Sequence, residues 1–155
     1  MNGIKLWKES TTTSSPGTVI QAKIKDIVLE INRKVIKRGV RCTNALRNAE
    51  LEILKGQRNG KKYRKPYTKK ATYCASAPGE VPARRTGALR LQWIGGVEES
   101  ATPKGVVAVS YLESNVPYAS YLEEGTGKMA ARPFADKIKK QAEPEIQKIM
   151  SESYD

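Results

Sequence analysis

Apolar residues recur at helical intervals through the first third of the chain. Ile20, Ile24, Ile27, Ile31 and Val35 are separated by four, three, four and four positions, and the pattern resumes beyond Gly39 at Cys42, Leu46, Ala49 and Ile53. Side chains at those intervals share one face of an α-helix. Thr18 followed three residues later by Gln21 fits a capping box, and Gly56 supplies a C-terminal stop. A glycine inside a helix costs about 1 kcal/mol relative to alanine, so Gly39 marks either a tolerated weak point or a break. One long, bent helix over 18–55 is the favoured reading. β-Branched residues dominate the first half of the stripe, so tertiary or subunit packing is needed to support it.

Downstream the pattern changes. Residues 57–70 are polar and basic, with a turn signal at Asn59-Gly60, and 71–77 reads as a strand. Pro78-Gly79 and Pro82 enforce an extended loop. Thr86 to Leu91 reads as a short helical turn with Thr86 as its N-cap. Leu91–Glu98, where Gly95-Gly96 invites a bulge, and Val106–Leu112 read as two strands of a hairpin joined through 101–105. A last helix is expected from Pro133, striped by Phe134, Ile138, Ala142, Ile146 and Ile149, with Pro144 predicting a kink or a stop. Residues 1–17 include the polar run 10–17 and read as a flexible arm that Trp7 anchors. The expected fold is therefore α+β: a small antiparallel β-sheet packed against a long N-terminal helix and a C-terminal helix. An arm over 1–17 precedes a single domain over 18–155.

At 155 residues the chain is long enough to bury a core without metals or disulfides. No apolar run reaches the roughly 18–20 residues of a membrane span, and Met1 to Pro16 lacks a secretory pattern, so a cytoplasmic origin is expected. Cys42 and Cys74 fit no close ligand spacing and read as free thiols.

Charge changes the picture more. The net charge is +12, and residues 55–90 hold eleven bases against the single acid Glu80, which is +10 of the total. Such a block seeks an anionic surface. Within it Lys61, Lys62, Arg64, Lys65, Lys69 and Lys70 surround Tyr63 and Tyr67, mixing phosphate-neutralising charge with aromatic faces. Three readings stay open: a solvated loop, a loop docking on acidic neighbours, or contact with DNA. No base-reading module accompanies it.

Catalytic chemistry has little to draw on. The chain has no histidine, which removes Ser–His and Cys–His nucleophile pairs. Glu123-Glu124 and Glu143 with Glu145 read as solubilising carboxylates, and no Asp-x-Asp loop suggests a metal site. No catalytic, metal or cofactor residues are expected, and the chain reads as a non-enzyme.

Four short pieces remain: Ser76-Ala77-Pro78-Gly79-Glu80-Val81-Pro82, Thr86-Gly87-Ala88-Leu89, the run from Val116 to Thr126 (Val-Pro-Tyr-Ala-Ser-Tyr-Leu-Glu-Glu-Gly-Thr), and Arg132-Pro133-Phe134. In order and spacing, over roughly residues 18–150, they resemble the tail-completion, or head–tail joining, family of tailed phages. The basic stretch 57–70 and the first seventeen residues have no counterpart in that pattern. The resemblance implies a structural virion protein of the neck or upper tail, assembled in the bacterial cytoplasm. It implies a sixfold ring whose copies meet head-closure or connector proteins on one side and the tail terminator or tail tube on the other. No membrane partner is implied, and contact with the DNA passing through the neck stays open. The residues it singles out for subunit or partner contact are Pro78, Gly79, Glu80, Pro82, Thr86, Gly87, Leu89, Pro117, Tyr118, Leu122, Glu123, Gly125, Thr126, Arg132, Pro133 and Phe134. Of these, Tyr118, Leu122 and Phe134 suit a core role first and subunit contact second, Gly125 a sharp turn, and Glu123 a solvated charge or an ion pair with Arg90 or Arg132. The alternative is a small, basic, phage-encoded nucleic-acid-binding protein. An enzyme that works with carboxylates alone ranks last.

Overall fold

The computed structural model describes residues 16–56, 58–103 and 105–154. Its elements, in chain order, are α1 (Pro16–Ile53), β1 (Lys62–Arg64), β2 (Thr72–Cys74), α2 (Ala88–Leu91), β3 (Trp93–Thr102), β4 (Gly105–Ser114), α3 (Ala119–Glu124) and α4 (Ala135–Ser151). The class is α+β: a long N-terminal helix, two antiparallel two-stranded sheets and a C-terminal helix.

The long helix is unbroken. It begins at Pro16, two residues before the expected cap at Thr18, so Thr18 lies inside it. A proline is well placed in a first turn, where its missing N–H has no intrahelical partner to lose. Of the expected arm, residues 1–15 lie outside the described residues and 16–17 belong to α1. Gly39 neither breaks nor ends the helix. A Cβ there would sit 3.0 Å and 3.2 Å from the two Val97 methyls, so the glycine lets β3 approach the helix backbone. Ser110 Oγ donates to Gly39 O at 2.8 Å, and Thr43 Oγ1 to Gly96 O at 2.9 Å, stitching the β3–β4 hairpin to α1.

That hairpin is longer and more regular than the sequence suggested. The register runs without interruption from Trp93↔Ser114 to Thr102↔Gly105. Ala101, Thr102 and Gly105, expected in the turn, are therefore paired, and Gly95-Gly96 forms no bulge. The two glycines answer crowding instead. A Cβ on Gly95 would lie 2.7 Å from Thr43 Cγ2, and one on Gly96 would lie 2.8 Å from the Tyr111 hydroxyl.

The basic segment also contains structure that the sequence did not reveal. β1 pairs with β2 through Lys62↔Cys74, Tyr63↔Tyr73 and Arg64↔Thr72, so 57–70 is half of a second hairpin and not a plain loop. Asn59-Gly60 is not its turn: Gly60 N donates to Ala75 O at 2.9 Å, and the chain reverses across 65–71, where Tyr67 takes φ 61°.

The core lies between the C-terminal half of α1 and α4. Ala49, Leu54, Val81, Phe134, Ile138 and Ala142 form one buried cluster, with Trp93, Leu89 and Leu122 packed against it. Cys42, Ala45 and Ile149 form a second. Ile138 sits with Ala49 and Leu54 while Ile149 sits with Cys42 and Ala45, so the two helices run antiparallel. Pro144 neither stops α4 nor disturbs its buried face. The helix starts at Ala135, with Phe134 as N-cap and Pro133 just outside. Beyond it the chain folds back on α1. Arg38 donates to the carbonyl oxygens of Glu152 and Ser153 and lies 3.7 Å from the Tyr154 ring centroid, while Arg41 pairs with the Glu152 carboxylate.

The first half of the α1 stripe meets none of this packing. Ile20, Ile24, Ile27 and Ile31 are all exposed.

Candidate functional site

The four resemblance segments are up to 58 residues apart, yet they converge on one end of the fold. The convergence starts at Gly125. It takes φ 81°, a left-handed value that side chains resist, and a Cβ there would fall 2.7 Å from Ala131 N. The chain therefore doubles back: Thr126 N donates to Met129 O at 2.8 Å, and Arg132 N to Leu122 O at 2.8 Å. This return brings Glu123 to the start of α4, where its carboxylate accepts from Phe134 N at 2.8 Å and Ala135 N at 3.2 Å. Glu123 is thus a cap for the last helix. It is not the ion-pair partner of Arg90 or Arg132 that the sequence suggested; Arg132 Nη2 turns instead to Ser76 O at 3.2 Å.

The loop 76–82 is tied to the same return. Gly79, at φ 75°, donates from its N–H to Ala131 O at 3.1 Å, and its own carbonyl accepts from Lys137 Nζ. Glu80 accepts from Ala77 N at 2.8 Å and from Asn59 Nδ2 at 2.9 Å, and backbone donors of Ala77 and Asn59 hold its carboxyl below the usual range. Arg58 joins this loop to the end of α1 by donating to Val81 O at 2.5 Å and Ile53 O at 3.0 Å, and burial lowers its pKa. Gly87, at φ 97°, is the N-cap of α2, one residue beyond the expected Thr86, whose hydroxyl accepts from Ala88 N at 3.4 Å. Trp93 Nε1 donates to Leu89 O, and its ring meets Phe134 edge-on with centroids 6.1 Å apart.

Between these segments and the β1–β2 hairpin lies an open cleft of about 670 Å³. Pro82, Thr86, Gly87, Leu89, Tyr118, Leu122 and Arg132 line it, drawn from all four segments. The rest of the expected contact set plays other parts. Phe134 is core, Glu123 is the cap, and Pro78, Gly79, Glu80, Gly125 and Thr126 shape the loops; Pro117 and Pro133 flank α3 and α4 without lining the cleft.

Strand alternation decides how the second hairpin faces the cleft. Tyr63 and Tyr73, cross-strand partners with ring centroids 6.1 Å apart, line it, as does the fully exposed Tyr67. Lys61, Lys62, Arg64, Lys65, Lys69 and Lys70 do not. The positive charge within the cleft comes from Arg84, Arg85, Arg90 and Arg132. Arg90 is anchored through Nε to Leu51 O at 3.2 Å, while Nε of Arg132 is buried without a hydrogen-bond partner. The floor is apolar, from Leu54, Leu89 and Leu122. Such a cleft suits an extended segment with apolar and acidic side chains, or an anionic backbone with bases to stack.

Two features had no individual signal in the sequence. One is the tyrosine pair, visible only once the short strands are known. The other is Glu50, fully buried on α1 and paired with Arg47. Among the described residues, no group of three or more His, Cys, Asp or Glu could hold a metal ion, and no helix is long and apolar enough to cross a membrane.

Comparison with known protein families, curated proteins and solved structures finds no match.

Proposed function

We propose that this chain is a structural virion protein of the phage neck or upper tail, a tail-completion component that joins tail to head by assembly and not by catalysis. The reading rests on the resemblance, and one structural observation supports it. The four segments that carry the resemblance meet at a single cleft, nine of their residues lining it beside the β1–β2 hairpin and Arg84, Arg85 and Arg90. On this reading the cleft receives a segment of a neighbouring neck or tail protein, copies form a sixfold ring, and the Arg84–Arg85–Arg90 cluster selects an acidic partner.

The test is electron microscopy of lysates from a phage carrying a nonsense codon in this gene. Filled heads and finished tails lying apart are expected. Intact virions of normal infectivity would refute the role.

A second reading, nucleic-acid binding, is favoured by the sharing of one cleft by four tyrosines and four arginines. Fluorescence anisotropy with labelled duplex decides it. DNA contact predicts binding that weakens steeply with salt, with a log–log slope of about −0.9 per phosphate neutralised, and that is lost in Arg84→Ala/Arg85→Ala. The absence of binding at low salt removes this reading.

A further inference from the structure

Two apolar faces have no partner among the described residues. The first is the N-terminal half of α1, where Ile20, Ile24 and Ile27 are each more than half exposed and Ile31 is 41% exposed. The second is the outer face of the β3–β4 hairpin. Val97, Ser110 and Gly95 face α1, so their neighbours along each strand, Ile94, Val107 and Val109, point away from it, and these are 54%, 46% and 53% exposed. Contiguous apolar surface left in water, beyond single scattered side chains, marks a surface that a partner covers.

We infer that the two faces are complementary and that the N-terminal half of α1 from one copy packs on the outer face of the β3–β4 hairpin of the next copy. Their lengths agree. The stripe from Ile20 to Ile31 spans about 17 Å at 1.5 Å per residue, and the outer face from Ile94 to Ser100 spans about 20 Å at 3.4 Å per residue. Their charges are opposite. Residues 16–37 carry five bases against two acids, whereas 93–114 carry Glu98, Glu99 and Glu113 against Lys104, the reverse of the chain as a whole. Glu98 pairs with Val109 and Ile94 with Glu113 across the ladder, so two carboxylates border the apolar patch itself, while Lys23 borders the helical stripe. The contact would place the two-stranded sheet between two helices, its own α1 inside and a neighbour's outside.

This contact joins different surfaces of identical chains, so it repeats head to tail and ends in a closed ring or an open filament. The inference deepens the proposed assembly role. It rests on that role only for closure into a ring; the contact itself stands on the two faces.

The experiment uses the full chain and reads mass by size-exclusion chromatography with light scattering. Wild type is expected to form multimers that grow with concentration. Ile24→Asp/Ile27→Asp, which disables the helix face, and Val107→Lys/Val109→Lys, which disables the sheet face, are each expected to run as monomers with unchanged circular dichroism. Mixed in equal amounts they are expected to give a species of twice the monomer mass, because each keeps the face the other lacks. A sheet-face variant that still dimerises alone would overturn the proposal in favour of helix–helix pairing. A wild type that stays monomeric at its highest soluble concentration, or a mixture that stays monomeric, would overturn it as well, and would point to a foreign partner for both faces. None of these outcomes depends on the phage lysate experiment, so failure of the contact and failure of the neck role are read separately.

Discussion

Glu50 has no exposed surface, and only one of its carboxylate oxygens finds a partner, the Arg47 guanidinium. Burial raises its pKa from 4.5 to about 7, against the opposing pull of the Arg47 and Arg90 charges. The folded chain therefore holds this proton more tightly than the unfolded one. The stabilisation is fully present below pH 4.5 and is lost as pH rises through about 7. A shift of about 2.5 units at about 1.4 kcal/mol each makes the ionised group cost the fold about 3 kcal/mol at pH 8. Glu50→Gln keeps the shape and an acceptor for Arg47 but cannot ionise. The variant should match wild type near pH 4 and exceed it at pH 8, with a melting temperature higher by roughly 6–12 °C at this chain length. Thermal unfolding followed by circular dichroism from pH 4 to 8 measures the difference. Parallel pH profiles for the two proteins would refute the reasoning, since Glu50 would then ionise in the folded state as easily as in the unfolded one.

Three further substitutions probe the cleft and its scaffold. Gly125→Ala places a methyl 2.7 Å from Ala131 N at a left-handed φ and should cost about 2–3 kcal/mol in urea unfolding; an unchanged midpoint would show that the 125–131 return relaxes freely. Glu123→Ala removes the acceptor at the first turn of α4 and should cost about 1 kcal/mol, with faster amide exchange at Phe134 and Ala135. Gly95→Ala would overlap Thr43 Cγ2 at 2.7 Å, so it should lift β3 from α1 and raise protease cleavage within 93–114; equal cleavage in both proteins would contradict the close approach.

What the sequence revealed follows from the range of the interactions. The α4 stripe and the Cys42–Ile53 stripe are local periodicities, and both are buried as read. The hairpin at 93–114 was legible from its turn residues and alternation. Its glycines were misread, because the reason for them lies outside their own strand, on α1 at Thr43 and on the paired strand at Tyr111. β1 and β2, at three residues each, are too short to carry a period, and their lysines mask the paired tyrosines. The partner of Glu123 is backbone eleven residues away, to which a side-chain pattern is blind. The Ile20–Ile31 stripe shows a different limit. A face that packs within its own chain and a face left open have the same spacing, so periodicity located the helix without revealing that half of it stands clear of the core.

The continuity of α1 through Gly39 has a mechanical consequence. One uninterrupted rod is clamped at its C-terminal half by α4 and the hairpin and is free of them toward Pro16. Residue 16 lies about 40 Å along the axis from residue 43 at 1.5 Å per residue. A tilt of 5° at the clamp therefore carries the free end through about 3.5 Å, more than half the width of a turn. The clamp includes the hydrogen bonds from Thr43 to Gly96 and from Arg90, a lining residue of the cleft, to Leu51. A displacement at Leu51, on the short arm of this lever, would therefore reach the far end of the helix at several times its original size.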